Sequence, residues 1–285
     1  MSSGRGLRRR ITSIRGTAQI TRAMQMVAAS KMRRAQQAAI AAGPFARALY
    51  RIQRHATTFA SDFTHPLLEV REVRRRAVIL IAADKGLCGG LNANVFRAAA
   101  QFDPASTIFI AAGRKAAQFV ARSRRRLAAE FEYGDSPRFP EARAIAAMAR
   151  DLFLRKEVDE VIVVATRFVN TLTQEPVSFR FLPVGEITGL KIPGVAPESA
   201  DTRECLFEPG AATLLAYLLP RYLNISLYFV LLHAKASEQS ARMVSMKNAT
   251  DNAESLVKDL TLEYNTRRQG SITTELLEIA GGQAG

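Results

Sequence analysis

The sequence predicts an α/β protein: a long antiparallel two-helix coiled coil built from the N- and C-terminal helices, plus a central α/β domain with an open, largely parallel sheet. Three observations predict it. Apolar residues recur at alternating steps of four and three at both ends of the chain. Short β-branched runs alternate with helical stretches between those ends. The last helical stretch is too long to lie on a small domain.

The N-terminal element, placed at residues 1–60, carries the first seam. Leu7, Ile11, Ile14, Ala18, Thr21, Gln25, Ala28, Met32, Ala35, Ala39 and Ala42 keep the heptad steps, and only Thr21 and Gln25 are polar. Such spacing holds one stripe against a partner helix and imposes a left-handed supercoil. Gly43-Pro44 predicts a kink or break, since proline removes a backbone donor and crowds the preceding turn, with a shorter helix continuing to about Phe59. The start is rich in arginine and free of acid, as in a transit peptide. The unbroken seam past residue 30 argues instead for a segment of the mature protein.

The central element, placed at 74–204, changes code. Ala77–Ala83 (AVILIAA), Thr107–Ala112 (TIFIAA) and Val161–Thr166 (VIVVAT) read as buried parallel strands, with helices near 94–102, 114–125 and 139–156. This alternation predicts a Rossmann-like layering. Pro176–Val184, with Val177, Phe179 and Phe181 alternating, reads as an edge strand, and residues 185–204 read as a loop.

The C-terminal element, placed at 207–285, has its own seam: Leu218, Tyr222, Ile225, Phe229, Leu232, Ala236, Gln239, Met243, Met246, Thr250, Ala253, Val257, Leu260 and Tyr264. Beyond Tyr264 the seam turns polar and a new stripe of Ile272, Leu276 and Ile279 takes over, so the last turns are expected to meet different surroundings. Pro220 sits near the start, where proline is tolerated, or else kinks the helix. A helix from about residue 211 to 280 is roughly 105 Å long, against about 30 Å for a small domain. The terminal helices are therefore expected to pair and project as a stalk, small alanines facing larger residues.

Hydrophobic content of 48% suffices for a core, and no run of uncharged apolar residues reaches the length of about 18 expected of a transmembrane helix. Net charge is +14; eleven arginines and one lysine precede the first acidic residue, Asp62. Such charge implies an acidic partner. Arg8, Arg15 and Arg22 flank the seam at heptad spacing, Arg10 and Lys31 flank the other side, and Arg33 and Arg34 follow. Cys88 and Cys205 form no C-x-x-C pair and read as free thiols in a reducing compartment.

No group suggests catalysis. Asp84–Leu91 (DKGLCGGL) follows a strand and opens a helix, yet lacks the lysine and hydroxyl of a phosphate loop; it reads as a tight turn. His55, His65 and His233 lack metal-ligand spacing, and Cys88 has no nearby base. Asp135, Glu141, Asp159 and Glu160 read as solvated charges. Two other functions compete. A basic coiled coil could bind DNA, but here arginines and seam share the same turns, so no specific nucleic acid is expected. An enzyme reading rests only on the α/β layering.

Three stretches resemble the gamma subunits of F-type ATP synthases: Ile20–Met32 (ITRAMQMVAASKM), Asp84–Asn92 (DKGLCGGLN), and Ser237–Asn252 with Tyr264–Ile279 (SEQSARMVSMKNATDN, YNTRRQGSITTELLEI). Their order and spacing fit over nearly the whole chain. The resemblance implies a non-catalytic rotor shaft within a ring of three α and three β subunits. It places the α/β domain by the epsilon subunit and the membrane c-ring, and the whole as a peripheral protein on the cytoplasmic side of a bacterial inner membrane. It implies no cofactor and no metal in this chain. Met24, Lys31, Arg33 and Arg34 would face the ring near an acidic β loop. Arg242, Arg268, Gln269, Thr273 and Glu275 would contact β or hold the two helices together. Gly270 departs from helix-forming expectation at a cost of about 1 kcal/mol. The cysteine-pair insertion of the chloroplast kind is missing.

Overall fold

A computed structural model describes residues 4–58, 64–184 and 210–282. In chain order they form α1 (Gly4–Thr58), a 3-10 turn (Pro66–Leu68), β1 (Arg76–Ile81), α2 (Leu91–Ala100), β2 (Thr107–Ala112), α3 (Arg114–Arg122) and β3 (Arg126–Phe131). There follow α4 (Phe139–Leu154), β4 (Glu160–Phe168), β5 (Gln174–Leu182) and α5 (Ala211–Gly282). The chain divides into two compact units: residues 29–241, and residues 1–28 taken with 242–285.

The first unit is built on a five-stranded sheet of order β3-β2-β1-β4-β5. The strands β1 to β4 run parallel; β5 pairs antiparallel with β4 at the edge. Successive side chains of a strand point to opposite faces, and β1 supplies both cores. Ala77, Ile79 and Ile81 join α4 (Ile145, Ala149, Phe153) on one face. Val78, Leu80 and Ala82 join α2 and α3 (Val95, Ala99, Ala116, Val120) on the other. A strand buried on both faces reads as continuous AVILI rather than as alternation.

The first third of α5 belongs to this core. Leu219, Tyr222, Leu223, Leu227, Leu231 and Ala234 are buried with the sheet residues. The compact unit is therefore wider than the 74–204 span read from the sequence. Within α5 an 18-residue window reaches mean hydropathy 1.4, long and apolar enough by composition to cross a membrane, but 67% of it is buried inside the protein. A helix apolar all round is what a core position requires.

Among the described residues of the second unit a narrow stripe is buried. Leu7 and Ile11 pack with Leu260, flanked by Ile14, Val257 and Tyr264. The hydroxyls of Thr21 and Thr250 lie 2.7 Å apart and are buried. Arg22 pairs with Glu254 at the rim. Partners fall in number on α5 as they rise on α1, the sense of an antiparallel pair. Towards the tip Ile272, Leu276 and Leu277 are exposed.

Several expectations are corrected. Gly43-Pro44 does not end α1, which runs through to Thr58; Pro44 is exposed, and an exposed proline leaves the freed carbonyl one turn back within reach of water. Pro220 likewise lies inside α5. The strand β3 was not foreseen. It is an edge strand with no fully buried residue, so RLAAEF shows no apolar run, and α3 stops at Arg122, before Arg124 turns to φ 52°. The loop at 185–204, Phe59 and Cys205 lie outside the described residues.

Candidate functional site

Two surfaces bear on function: the crevice at the carboxyl ends of the parallel strands, where open α/β sheets bind ligands, and the basic and polar residues singled out on α1 and α5.

The crevice is closed by the chain itself. The turn after β1 folds back with Gly89 at φ 59° and Leu87 at φ 63°. The Asn92 side-chain carbonyl accepts from the Ala83 amide at 3.1 Å. Ala83, Cys88 and Leu91 form a small buried cluster against Ala241 of α5. A phosphate loop must leave its amides open to the ligand; this turn is packed under a helix. Cys88 is buried, and its Sγ accepts from Asn92 Nδ2 at 3.4 Å. Gly113, opening α3 at φ 93°, passes so close that a Cβ would stand 2.1 Å from the Ala82 carbonyl.

Beside that turn Lys235 of α5 reaches in, only 1% exposed. Its Nζ donates to Glu238 Oε2 at 3.0 Å, and lies 3.8 Å from Asp84 Oδ2 and 4.0 Å from Asp135 Oδ1. The Tyr133 ring lies under it, 4.8 Å from Nζ to the ring centre, and the Tyr133 hydroxyl donates to the Ala82 carbonyl at 2.9 Å. Burial, then the charges of Glu238 and Asp84, push the Tyr133 phenol well above its ordinary range. Lys31 of α1 donates to Asp135 Oδ2 at 2.6 Å. That bond outweighs the opposing cost of burial and, helped by the charges of Lys31, Lys235 and Lys85, holds the Asp135 carboxyl below its usual range.

The acids read as solvated charges all have partners. Asp135 bridges two lysines. Glu141 accepts from the Arg138 amide at 3.0 Å and caps α4. Asp159 accepts from the amides of Arg74 and Arg75 at 3.0 and 2.9 Å. Glu160 accepts from Arg76 at 2.9 Å. His65 caps the 3-10 turn, its Nδ1 accepting from Leu67 at 3.1 Å. His233 is mostly buried, its Nδ1 without a hydrogen bond, and burial, with the Arg167 charge second, lowers its pKa.

Of the residues singled out for partner contact, Lys31 is half-buried, while Arg33 and Arg34 are exposed on the next turn of α1, Arg34 reaching 3.5 Å from the Ser30 hydroxyl. Met24 is half-buried and Arg242 buried. Arg268, Gln269 and Thr273 are exposed together, the Thr273 hydroxyl donating to the Gln269 carbonyl at 2.9 Å. The Glu275 side chain lies outside the described residues, as do those of His55 and Ile279. Sequence reasoning missed Lys235, Glu238, Asp84 and Tyr133. The available signal was a Lys–Glu pair three residues apart inside a stretch whose neighbours, Ala236 and Gln239, lie on the seam.

A family model described as ATP synthase matches residues 3–285. The chain is 44% identical over 293 residues to the ATP synthase gamma chain of Opitutus terrae, covering 99% of this chain and 98% of that one. It is 43% identical over 287 residues to the gamma chain of Desulforamulus reducens, covering 100% and 99%. The chain belongs to the ATP synthase gamma-chain family. Its fold matches a chain of the Euglena gracilis mitochondrial ATP synthase assembly of OSCP, F1 and c-ring, with a TM-score of 0.70 at 18% identity over 99% of this chain and 93% of that one. A chain of the Tetrahymena thermophila mitochondrial ATP synthase central stalk and c-ring matches with a TM-score of 0.58 at 23% identity, covering 81% and 99%. In this member of the family α5 stays continuous through Gly270, where an added Cβ would meet nothing within 4 Å.

Proposed function

We propose that this chain is the central-stalk rotor of a bacterial F-type ATP synthase, itself non-catalytic, transmitting rotation between a membrane c-ring and an α3β3 hexamer to couple ion translocation with ATP synthesis or hydrolysis. The observation that carries this reading is near-full-length identity of 44% to a gamma chain. The crevice geometry supports it, because the place where an α/β fold would hold a nucleotide is filled by α5. In this reading α1 and α5 form one antiparallel coiled coil along the matched seams, 1–60 against 207–285, and the 74–204 domain meets the epsilon subunit and the c-ring. The protein sits peripherally on the cytoplasmic face of the inner membrane.

Met24, Lys31, Arg33 and Arg34 face the lower ring. Arg268, Gln269, Thr273 and Glu275 meet β at the tip, where exposed Ile272 and Leu276 need a sleeve. Buried Arg242 suits holding the helices together. An arginine makes charge-assisted, two-pronged bonds to a carboxylate, which suits a transient latch.

Co-expression with α and β subunits, followed by size exclusion and an ATPase assay, tests the reading. Co-elution with ring-dependent ATPase supports it; a chain that elutes alone overturns it. In the assembled complex Arg268→Ala with Gln269→Ala lowers ATPase rate, by about tenfold if one charge-assisted contact is lost, while the isolated chain keeps its helix content.

A further inference from the structure

We propose that Lys235 is a positioning residue that keys the α/β domain onto α5, so that torque applied to the domain turns the helix without slip. This rests on the rotor reading above.

Three carboxylates, Asp84, Asp135 and Glu238, converge on one buried ammonium. They come from the turn after β1, the segment after β3, and α5 itself. The Asp84 second oxygen accepts from the Arg114 amide at 3.1 Å, so the same carboxylate also fixes the start of α3. Asp135 passes the link on to Lys31, and so to α1. One lysine thus gathers both terminal helices and two strand ends into one ionic cluster.

The physical case lies in directionality. Most of α5 within this unit packs through Leu219, Leu223, Leu227 and Leu231, and one further directional contact is the Ser240 hydroxyl donating to the Thr171 carbonyl at 2.7 Å. Apolar contact is non-directional, so it fixes the angle of a helix about its axis less sharply than a bond that holds one atom against another. A lysine reaching off that axis into a crevice acts as a key, because rotating α5 pulls the buried ammonium, with its buried Glu238 partner, away from Asp84 and Asp135. Replacing buried ion clusters with apolar groups is often neutral for stability, and their best-attested use is to fix register. A cluster placed where α5 enters the sheet's carboxyl edge fits that use.

The test uses the full synthase in inverted membrane vesicles, reading ATP hydrolysis and ATP-driven ion uptake together, by fluorescent-dye quenching for protons and by ²²Na⁺ uptake for sodium. Lys235→Met with Glu238→Gln removes the closest pair at once and strands no partner of that pair. Asp84→Asn keeps the acceptor for Arg114 and removes only charge. ATPase is expected to stay within about twofold of wild type while ion uptake per ATP falls about threefold or more for the double variant, and less for Asp84→Asn, the size expected of a coupling contact. Lys235→Arg, which retains the charge, is expected to recover most of the uptake. Hydrogen exchange on the isolated chain should quicken at residues 84–92 and 133–137. Uptake per ATP at the wild-type level in either folded variant, with unchanged exchange, overturns the proposal. A wild-type complex that hydrolyses ATP without moving either ion overturns the rotor reading instead, and the exchange data still report whether the key holds the domain.

Discussion

The helix α5 is in effect two helices. Within residues 29–241 it is buried nearly all round: from Tyr222 to Leu232 only Tyr228 is more than slightly exposed. Beyond Arg242 it shows a single buried stripe, Met246, Thr250, Ala253 and Leu260, with charged residues on the remaining faces. The first portion is a core helix and the second a rod. Burial on all sides supplies stability through area, whereas a stripe supplies little area and must rely on register. Substitutions should therefore behave differently in the two regions.

The largest contrast should come from core truncation. Leu231→Ala, fully buried among sheet residues, should cost about 2–5 kcal/mol. Leu260→Ala, in a three-residue cluster, should cost about half that, because a thin seam can collapse or admit water. Urea midpoints for the two variants check this; equal shifts would mean the rod is packed as densely as the core.

Glycine offers a comparison of sign. Gly113→Ala forces a Cβ to within 2.1 Å of the Ala82 carbonyl at φ 93° and should destabilise by more than about 1 kcal/mol. Gly270→Ala meets nothing and should raise helix content and stability by up to about 1 kcal/mol. Thermal melts followed by circular dichroism decide both, and a destabilising Gly270→Ala would contradict the open helix surface.

A polar contact inside the rod should give a smaller effect. Thr21→Val leaves the buried Thr250 hydroxyl with only its bond to the Met246 carbonyl at 2.9 Å and should cost about 1 kcal/mol. The double change to valine should recover most of it, since two apolar partners leave no donor stranded. A double-mutant cycle reads the coupling, and strict additivity would refute the hydroxyl pair.

The smallest effect is in acid. Asp135 has its folded pKa lowered, chiefly by the Lys31 hydrogen bond. Its ionised form therefore stabilises the fold above the ordinary carboxylate value of about 3.9, and that contribution fades as pH falls through the lower folded value. The stability gap between wild type and Asp135→Asn should be constant from neutral pH to about 5 and close below about 4. A gap unchanged at pH 3 would rule out the ion link.

Periodic features were legible in the sequence. The seam residues Leu7, Ile11, Thr21, Leu260 and Thr250 met as their heptad steps required, and the runs AVILIAA, TIFIAA and VIVVAT became the central strands. Both patterns arise from local geometry acting on burial. The edge strand β3 escaped because a half-exposed strand needs no apolar run, and α1 ran through Pro44 because an exposed proline need not end a helix. Arg33 and Arg34 stood out by their place beside the seam and Arg268 and Gln269 only by a resemblance, and all four are exposed.

What the sequence settled alone is the repeat, the charge and the kinship, since each is written in residue types at fixed spacing. What only the tertiary structure decided is which side chains answer one another across distance. Nothing in the order of residues pairs Asp84 with Lys235, or Asp135 with both Lys235 and Lys31. Their partnership exists because parallel strands deliver their carboxyl ends to one edge, and α5 crosses it with a lysine that cannot be buried without them.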